Sequence, residues 1–344
     1  MNIKQTTLAA AVTAALAMGV AGQAAASVYA GSSLEISDLT IVIEGATSGG
    51  ITGFTFNLDN TATLNGVSDT SAGLSTTCNS VGLPACADAP ASPLTATAAN
   101  APGSTIQRVD GSATNWDFFG PGAGQTYANS DSEILTAQLV DGIPTSTTQI
   151  TEAEVAGTGT GQSSTNVQSN TQFTFTFDIG EGGGSLDLDF LADPDLYVSV
   201  DTFNLLGALA QANTGASFTL TGNNGTTVQW SPDGLAGGFT SCVGVTSCTE
   251  TADEESLNNT VGLPAGNPAD AGISDARFTA DPGWSLFGIF IDGLRTGSYS
   301  LTLAATSSVN VVQRVEAVPE PGILALMGIG LLGLGMSARR RKLV

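Results

Sequence analysis

Four aspartates crowd one short stretch of the chain: Asp187, Asp189, Asp193 and Asp195. Carboxylates this close repel one another, and a hard divalent cation relieves the repulsion by taking oxygen ligands. Ca2+ is therefore the one cofactor for which the chain offers candidate ligands. The spacing matches neither an EF-hand loop nor an RTX repeat, and the same residues also suit a solvated polar face ending in an Asp-rich turn. Asp253-Glu254-Glu255 is a weaker acidic run. Trp116, Trp230 and Trp284 could line a sugar platform or fill a core. Histidine is absent from the chain, which removes a Ser-His-Asp triad, a Cys-His pair and any imidazole zinc ligand. Paired carboxylates could serve a glycosidase, but thirty acids in the body bring some pairs together by chance. The chain does not read as an enzyme.

The four cysteines form two close pairs, Cys78/Cys86 and Cys242/Cys248. Neither has C-x-x-C spacing, so a metal site is a poor reading. In an oxidising compartment each pair reads as a local disulfide closing a small surface loop, with cross-pairing left open by sequence alone.

The elements that would position these residues read as strands. Gln172–Asp178 and Ser185–Phe190 alternate apolar and polar residues strictly around Gly180–Gly184, and Leu196–Val200 follows Asp193-Pro194-Asp195. They predict an antiparallel meander with Phe173, Phe175, Phe177, Leu186, Leu188 and Phe190 inward, Asp187 and Asp189 outward, and Asp193 and Asp195 in a turn. Leu34–Glu44 and Ile51–Leu58 predict a hairpin, as do Ser217–Thr221 and Thr226–Trp230. Further strands are expected at Ser104–Val109, Glu133–Val140 (or a helical turn there), Ala276–Thr279, Trp284–Ile291, Gly297–Ala304 and Ser308–Val315. Phe203–Gln211 is the best helical candidate, and Asn60–Asn100 reads as looped. Short strands and glycine-rich turns with almost no amphipathic helix predict an all-β antiparallel sandwich. A β-solenoid finds no short fixed repeat to support it. NSVGLPA at 79–85 echoes NTVGLPA at 259–265, a loop type used twice or the trace of a duplication.

Two ends frame this body. Residues 1–26 carry Lys4, an apolar run Leu8–Val20 and Ala24-Ala25-Ala26, the pattern of a signal peptide helix with Ser27 as new terminus. At the other end, Pro319-Glu320-Pro321 precedes the uncharged 17-residue span Gly322–Ala338, then Arg339, Arg340, Arg341 and Lys342. As a helix that span covers about 25 Å, slightly less than a bilayer core of roughly 30 Å. The basic cluster resists translocation and keeps the C-terminus cytoplasmic. Five glycines weaken the helix by about 1 kcal/mol each relative to alanine, which makes a short-lived anchor. The prolines hold the backbone before them extended. A permanent tail anchor is the alternative.

Between the ends the organisation reads as a β-rich region 27–143, a low-complexity linker or long loop 144–171, and a β-sandwich region 172–317, as one unit or two subdomains. The body holds four arginines (Arg108, Arg277, Arg295, Arg314), no lysine and thirty acids, for a net charge of −26. Nucleic acid and anionic membrane surfaces are poor partners on that balance, while divalent cations, basic proteins and neutral polysaccharides remain.

The tail over 318–344 closely resembles the PEP-CTERM sorting signal of Gram-negative envelope proteins, on Pro319, Glu320, Pro321, the Gly/Leu-rich span and Arg339–Lys342. The resemblance covers about 27 of 344 residues. It implies transient anchoring in the inner membrane, processing near the tripeptide by an exosortase-type enzyme, and passage to the outer surface or exopolysaccharide matrix. A structural or adhesive role is then expected, with a carbohydrate- or calcium-binding surface module as the alternative and a polysaccharide-active enzyme behind both. Exopolysaccharide or surface glycans are the expected external partners.

Overall fold

A computed structural model describes residues 26–71, 76–79, 94–95, 98–109, 116–122, 124–135, 145–157, 161–200, 208–263, 269–273 and 283–315. The expected signal peptide and transmembrane sorting helix lie outside them, as do the 276–279 strand and most of the 203–211 helix, of which Leu209–Gln211 is strand.

Two nine-stranded, wholly antiparallel sheets make up the body. One, sheet A, runs β14 (Ser247–Asp253), β17 (Ser285–Leu294), β10 (Gly184–Val200), β1 (Ala26–Glu44), β8 (Thr145–Gly157), β7 (Thr126–Leu135), β5 (Leu94–Thr95). Beside that path β16 (Ala269–Ile273) pairs with β10, and β6 (Ala99–Asn100) with β7. The other, sheet B, runs β13 (Phe239–Val243), β12 (Thr227–Trp230), β11 (Leu209–Gly222), β18 (Gly297–Val315), β9 (Gly161–Ile179), β2 (Ala46–Leu64), β3 (Val67–Ser71). Here β15 (Thr260–Leu263) pairs with β11, and β4 (Thr76–Asn79) with β2.

The all-β sandwich is as expected, but its wiring differs. The anticipated partners β9 and β10 lie in opposite sheets, because Gly180–Gly183 crosses between them. The six inward Phe and Leu residues therefore meet face to face across the core. β1 and β2 part in the same way at Gly45, whose φ of 80° suits glycine and where a Cβ would strike the Gly183 carbonyl. No boundary separates the regions 27–143 and 172–317, since β1 pairs with β8 and β10, and β2 with β9.

The stretch 144–171 is not a linker. It forms β8 and the first half of β9, both flanked on two sides by strands. Ser104–Val109 is loop, and Val67–Ser71 is strand within the region read as looped. The 217–221 and 226–230 hairpin forms as β11 and β12, while 297–304 and 308–315 join into one 19-residue strand.

The interior has two apolar halves. One is aromatic, with Phe190 ringed by Phe218, Phe287 and Trp230 at centroid distances of 5.3, 5.1 and 6.3 Å. The other is built from Ala30, Ala128, Ala153, Ala210, Ala212 and neighbouring valines. A belt of short polar side chains crosses between them. Ser32, Thr151 and Ser130 share one row of sheet A, and Thr214, Ser307, Ser169 and Asn60 one row of sheet B. The rows meet through Ser307 to Ser32 (2.9 Å), Ser307 with Thr151 (2.8 Å) and Ser130 to Asn60 (2.8 Å). Asn60 in turn donates to Ser132 at 2.9 Å. Buried polar groups are mostly paired, and these bonds draw their partners from the opposite sheet, while Ser169 Oγ and Thr214 Oγ1 in the same rows have no hydrogen-bond partner among the described residues.

Both ends of the described body leave from the alanine half. Ala26 opens β1 opposite Gly157, Val315 closes β18 opposite Gly161, and three residues join those two glycines. The far pole carries the Gly45, Gly180–Gly183 and Arg295-Thr296 crossings.

Candidate functional site

The aspartate run lies wholly on β10. Asp187, Asp189, Asp193 and Asp195 share its outer face, alternating with buried Leu186, Leu188, Phe190, Ala192 and Leu196. The expected turn at Asp193-Pro194-Asp195 is continuous strand. Pro194 is tolerated because β17 last pairs at Ala192 and β16 first pairs at Leu196, so one flank of β10 needs no donor there. At about 3.3 Å per residue the four carboxylates spread over roughly 27 Å, too far for one ion. Among the described residues no three Cys, Asp or Glu side chains gather as a metal site.

The surroundings of that run are mixed. Val42 and Phe290 flank Asp187, and Thr40 and Gly288 flank Asp189. A Cβ on Gly288 would collide with Asp189 Oδ1 and Thr251 Oγ1. Partial burial, then the charge of Asp187, raises the Asp189 carboxyl. Burial, then Asp193 and Asp117, raises that of Glu35. Trp284, Leu286 and Val42 stand 45%, 43% and 51% exposed near this face. Trp284 is thus solvent-facing, Trp116 half-buried, and Trp230 a core residue donating from Nε1 to Glu250 Oε1 at 2.5 Å.

The densest polar site was not foreseen from sequence. Glu152, on the outer face of β8, is fully buried and accepts from five donors. These are Tyr29 Oη (2.7 Å), Tyr127 Oη (3.0 Å), Arg108 Nη2 (2.5 Å), and the backbone N–H of Phe119 (3.0 Å) and Gly120 (2.8 Å). Arg108 also lies 4.4 Å over the Phe119 ring. One turn of the pleat on, Glu154 accepts from Gly122 N–H at 3.0 Å. Burial is the main force pushing the Glu154 carboxyl up to about 7, with Glu152 adding to it and the Gly122 bond opposing it. Burial also raises the Tyr127 phenol. A carboxylate with every lone pair occupied by protein donors has none left for a substrate. The site clamps the 116–122 segment onto sheet A. The signal in the sequence was Arg108, one of four cations in a −26 body, which had to sit beside an acid.

The second cysteine pair is the disulfide Cys242–Cys248. It does more than close a surface loop, because Cys242 is on the edge strand β13 of sheet B and Cys248 on the edge strand β14 of sheet A. It staples the two sheets where the chain crosses between them. Nearby, Glu250 accepts from Gly237 N–H (2.6 Å), and Asp253 from Asp233 and Gly234 N–H (3.1 and 3.0 Å). Burial raises the Asp253 carboxyl to about 6 against those bonds. Cys86 lies outside the described residues, so the Cys78–Cys86 pairing does too.

At the far pole an open cleft of about 640 Å³ is lined by Glu44, Gly45, Gly182–Gly184, Ser185, Asp292–Leu294, Arg295 and Thr296.

Pro319, Glu320, Pro321 and Arg339–Lys342 lie outside the described residues, but a family comparison bears on them directly. Residues 317–342 match the PEP-CTERM protein-sorting motif. The chain thus carries a PEP-CTERM sorting domain. It is an exported protein that is anchored in the membrane before exosortase-dependent processing. No curated protein matches it. Among solved structures, the structure of infectious bursal disease virus Gx strain aligns at 12% identity over 92% of this chain and 86% of that one. Its TM-score of 0.08 carries no structural inference.

Proposed function

We propose that this protein is a structural or adhesive component of the outer surface or exopolysaccharide matrix, delivered there by its tail. The observation that supports this is the junction between body and address. β18, the last described strand, is paired on both sides up to Val312 and with β9 to Val315, and the sorting motif begins at residue 317. Cleavage near Pro319–Pro321 therefore removes no described strand, and the released product is a finished sandwich. The buried belt, the Glu152 clamp and the inter-sheet disulfide suit a body that must persist outside the cell. The test compares producing cells with the full chain and with residues 318–344 deleted. The full chain is expected in the matrix fraction, with a cohesion defect when the tail or the whole protein is lost. Equal matrix content without the tail would defeat the proposal.

The second reading, a glycan-binding module, is favoured by the outer face of sheet A. Exposed Trp284, Leu286 and Val42 can cover the apolar faces of sugar rings, while Asp187 and Asp189 accept from hydroxyls. A glycan array run with wild type, Trp284→Ala and Asp189→Asn, each with and without EDTA, separates the readings. Binding that both substitutions weaken supports this one, and EDTA sensitivity would add Ca2+ to it.

A further inference from the structure

The polar belt divides more than the core; it also divides the charge. On the alanine side, where both chain ends emerge, the described acids are buried Glu152 and Glu154, half-buried Asp69, and Asp270. With Asp270 left aside, every fully exposed acid of the described residues lies at the belt or toward the opposite pole, among them Asp38, Glu44, Glu181, Asp189, Glu254 and Asp292. Among the described residues the charge is therefore lopsided, with a nearly neutral end and an acidic end.

The leash is short. From Val315 to Gly322, where the apolar span starts, seven residues reach at most about 25 Å. β18 itself, with 19 residues, is roughly 63 Å long. While the tail is in the bilayer, the alanine pole must stay near the membrane, but the leash alone allows the body to stand or to lie down. Lying down would bring the acidic half within a Debye length, about 8 Å at physiological salt, of anionic headgroups. Standing on the neutral pole avoids this.

We propose that the charge-poor alanine pole is a membrane-facing surface, on which the anchored sandwich stands upright over anionic lipid before its tail is cut. The acidic pole with its glycine-lined cleft then points away from the membrane, and Pro319–Pro321 is presented beside the bilayer. Three residues lie between Val315 and Pro319, a reach of at most about 14 Å over the four steps.

The test uses the full chain, with the Cys242–Cys248 disulfide intact, reconstituted by its tail into phosphatidylcholine vesicles with or without phosphatidylglycerol. A donor fluorophore is placed on Asn166→Cys at the neutral pole or on Glu181→Cys at the acidic pole, with an acceptor on the lipid headgroups. Both positions are exposed, Asn166 in the half of β9 on the alanine side and Glu181 two residues beyond its other end. With phosphatidylglycerol, transfer from position 166 should exceed that from 181 several-fold. Raising salt, or removing phosphatidylglycerol, should shrink the ratio as the acidic half is freed to approach. Adding acids to the neutral pole with Ser68→Glu and Pro102→Glu, both exposed turn or edge positions, should lower transfer from 166 over anionic lipid only. Equal transfer from both poles over anionic lipid, or a ratio indifferent to salt and lipid charge, would overturn the proposal.

Discussion

Replacing Glu152 with alanine tests whether one buried carboxylate holds the outer layer of sheet A. The substitution leaves Arg108, Tyr29 and Tyr127 buried around an empty position, with the Phe119 and Gly120 N–H groups orphaned. Breaking a buried ion pair from one side costs about 3–5 kcal/mol. The orphaned N–H groups could add to this, but the same loop can relax to hydrate them, so the lower figure is the safer expectation. At roughly 2–4 °C per kcal/mol, a loss of about 3 kcal/mol should lower the melting temperature by about 6–12 °C. Calorimetry on the purified chain reads this directly. The double variant Arg108→Met/Glu152→Leu removes both charges and should recover part of the loss, giving a coupling of about 1–3 kcal/mol. Chymotrypsin should also cut near Phe118 and Phe119 faster in Glu152→Ala than in wild type. A loss below about 1 kcal/mol, or strictly additive single and double variants, would refute the clamp.

Other outcomes follow from the same structure. Ser307→Ala takes the shared hydroxyl from Ser32 and Thr151 and should cost about 1–3 kcal/mol in urea unfolding. Cys242→Ser, which opens a bridge of sequence separation 6, should cost about 2 kcal/mol by the chain-entropy estimate, visible as a lower urea midpoint. The Glu154 carboxyl is raised from 4.5 to about 7, so the folded state binds the extra proton. Its contribution is fullest below pH 4.5 and is lost as pH rises to about 7. Melting temperature followed across that window should decline for wild type and decline less for Glu154→Gln. Gly45→Ala, placed at φ 80° against the Gly183 carbonyl, should lower the yield of folded protein on expression.

The aromatic half of the fold was legible because its inward positions are Phe and Leu. Strict alternation at 172–178 and 185–190 gave strand identity and facing together. Sheet membership was not legible, since a glycine-rich connection such as 180–184 serves equally well for a hairpin and for a crossing between sheets. The stretch 144–171 misled for a physical reason. Its inward residues are Thr147, Gln149, Thr151, Ser169 and Thr171, of which Gln149 donates to Thr171 and Thr151 pairs with Ser307 across the core, so the apolar beat that marks a strand is missing. Glu152 hid in the same stretch, and its partner Arg108 lies 44 residues away in sequence. Asp187 and Asp189 were placed on the correct face, but Pro194 read as a turn because the gap between β17 and β16 cannot be seen from β10 alone.

On the proposed function the C-terminal segment is an address, removed once the sandwich has been delivered. Intact-mass spectrometry of the protein recovered from the surface and matrix of the producing cells tests it in one step. The expected product begins near Ser27, ends near Pro319–Pro321 and lacks Gly322–Val344. A chain recovered only from the inner membrane, with Gly322–Val344 still attached, would contradict it.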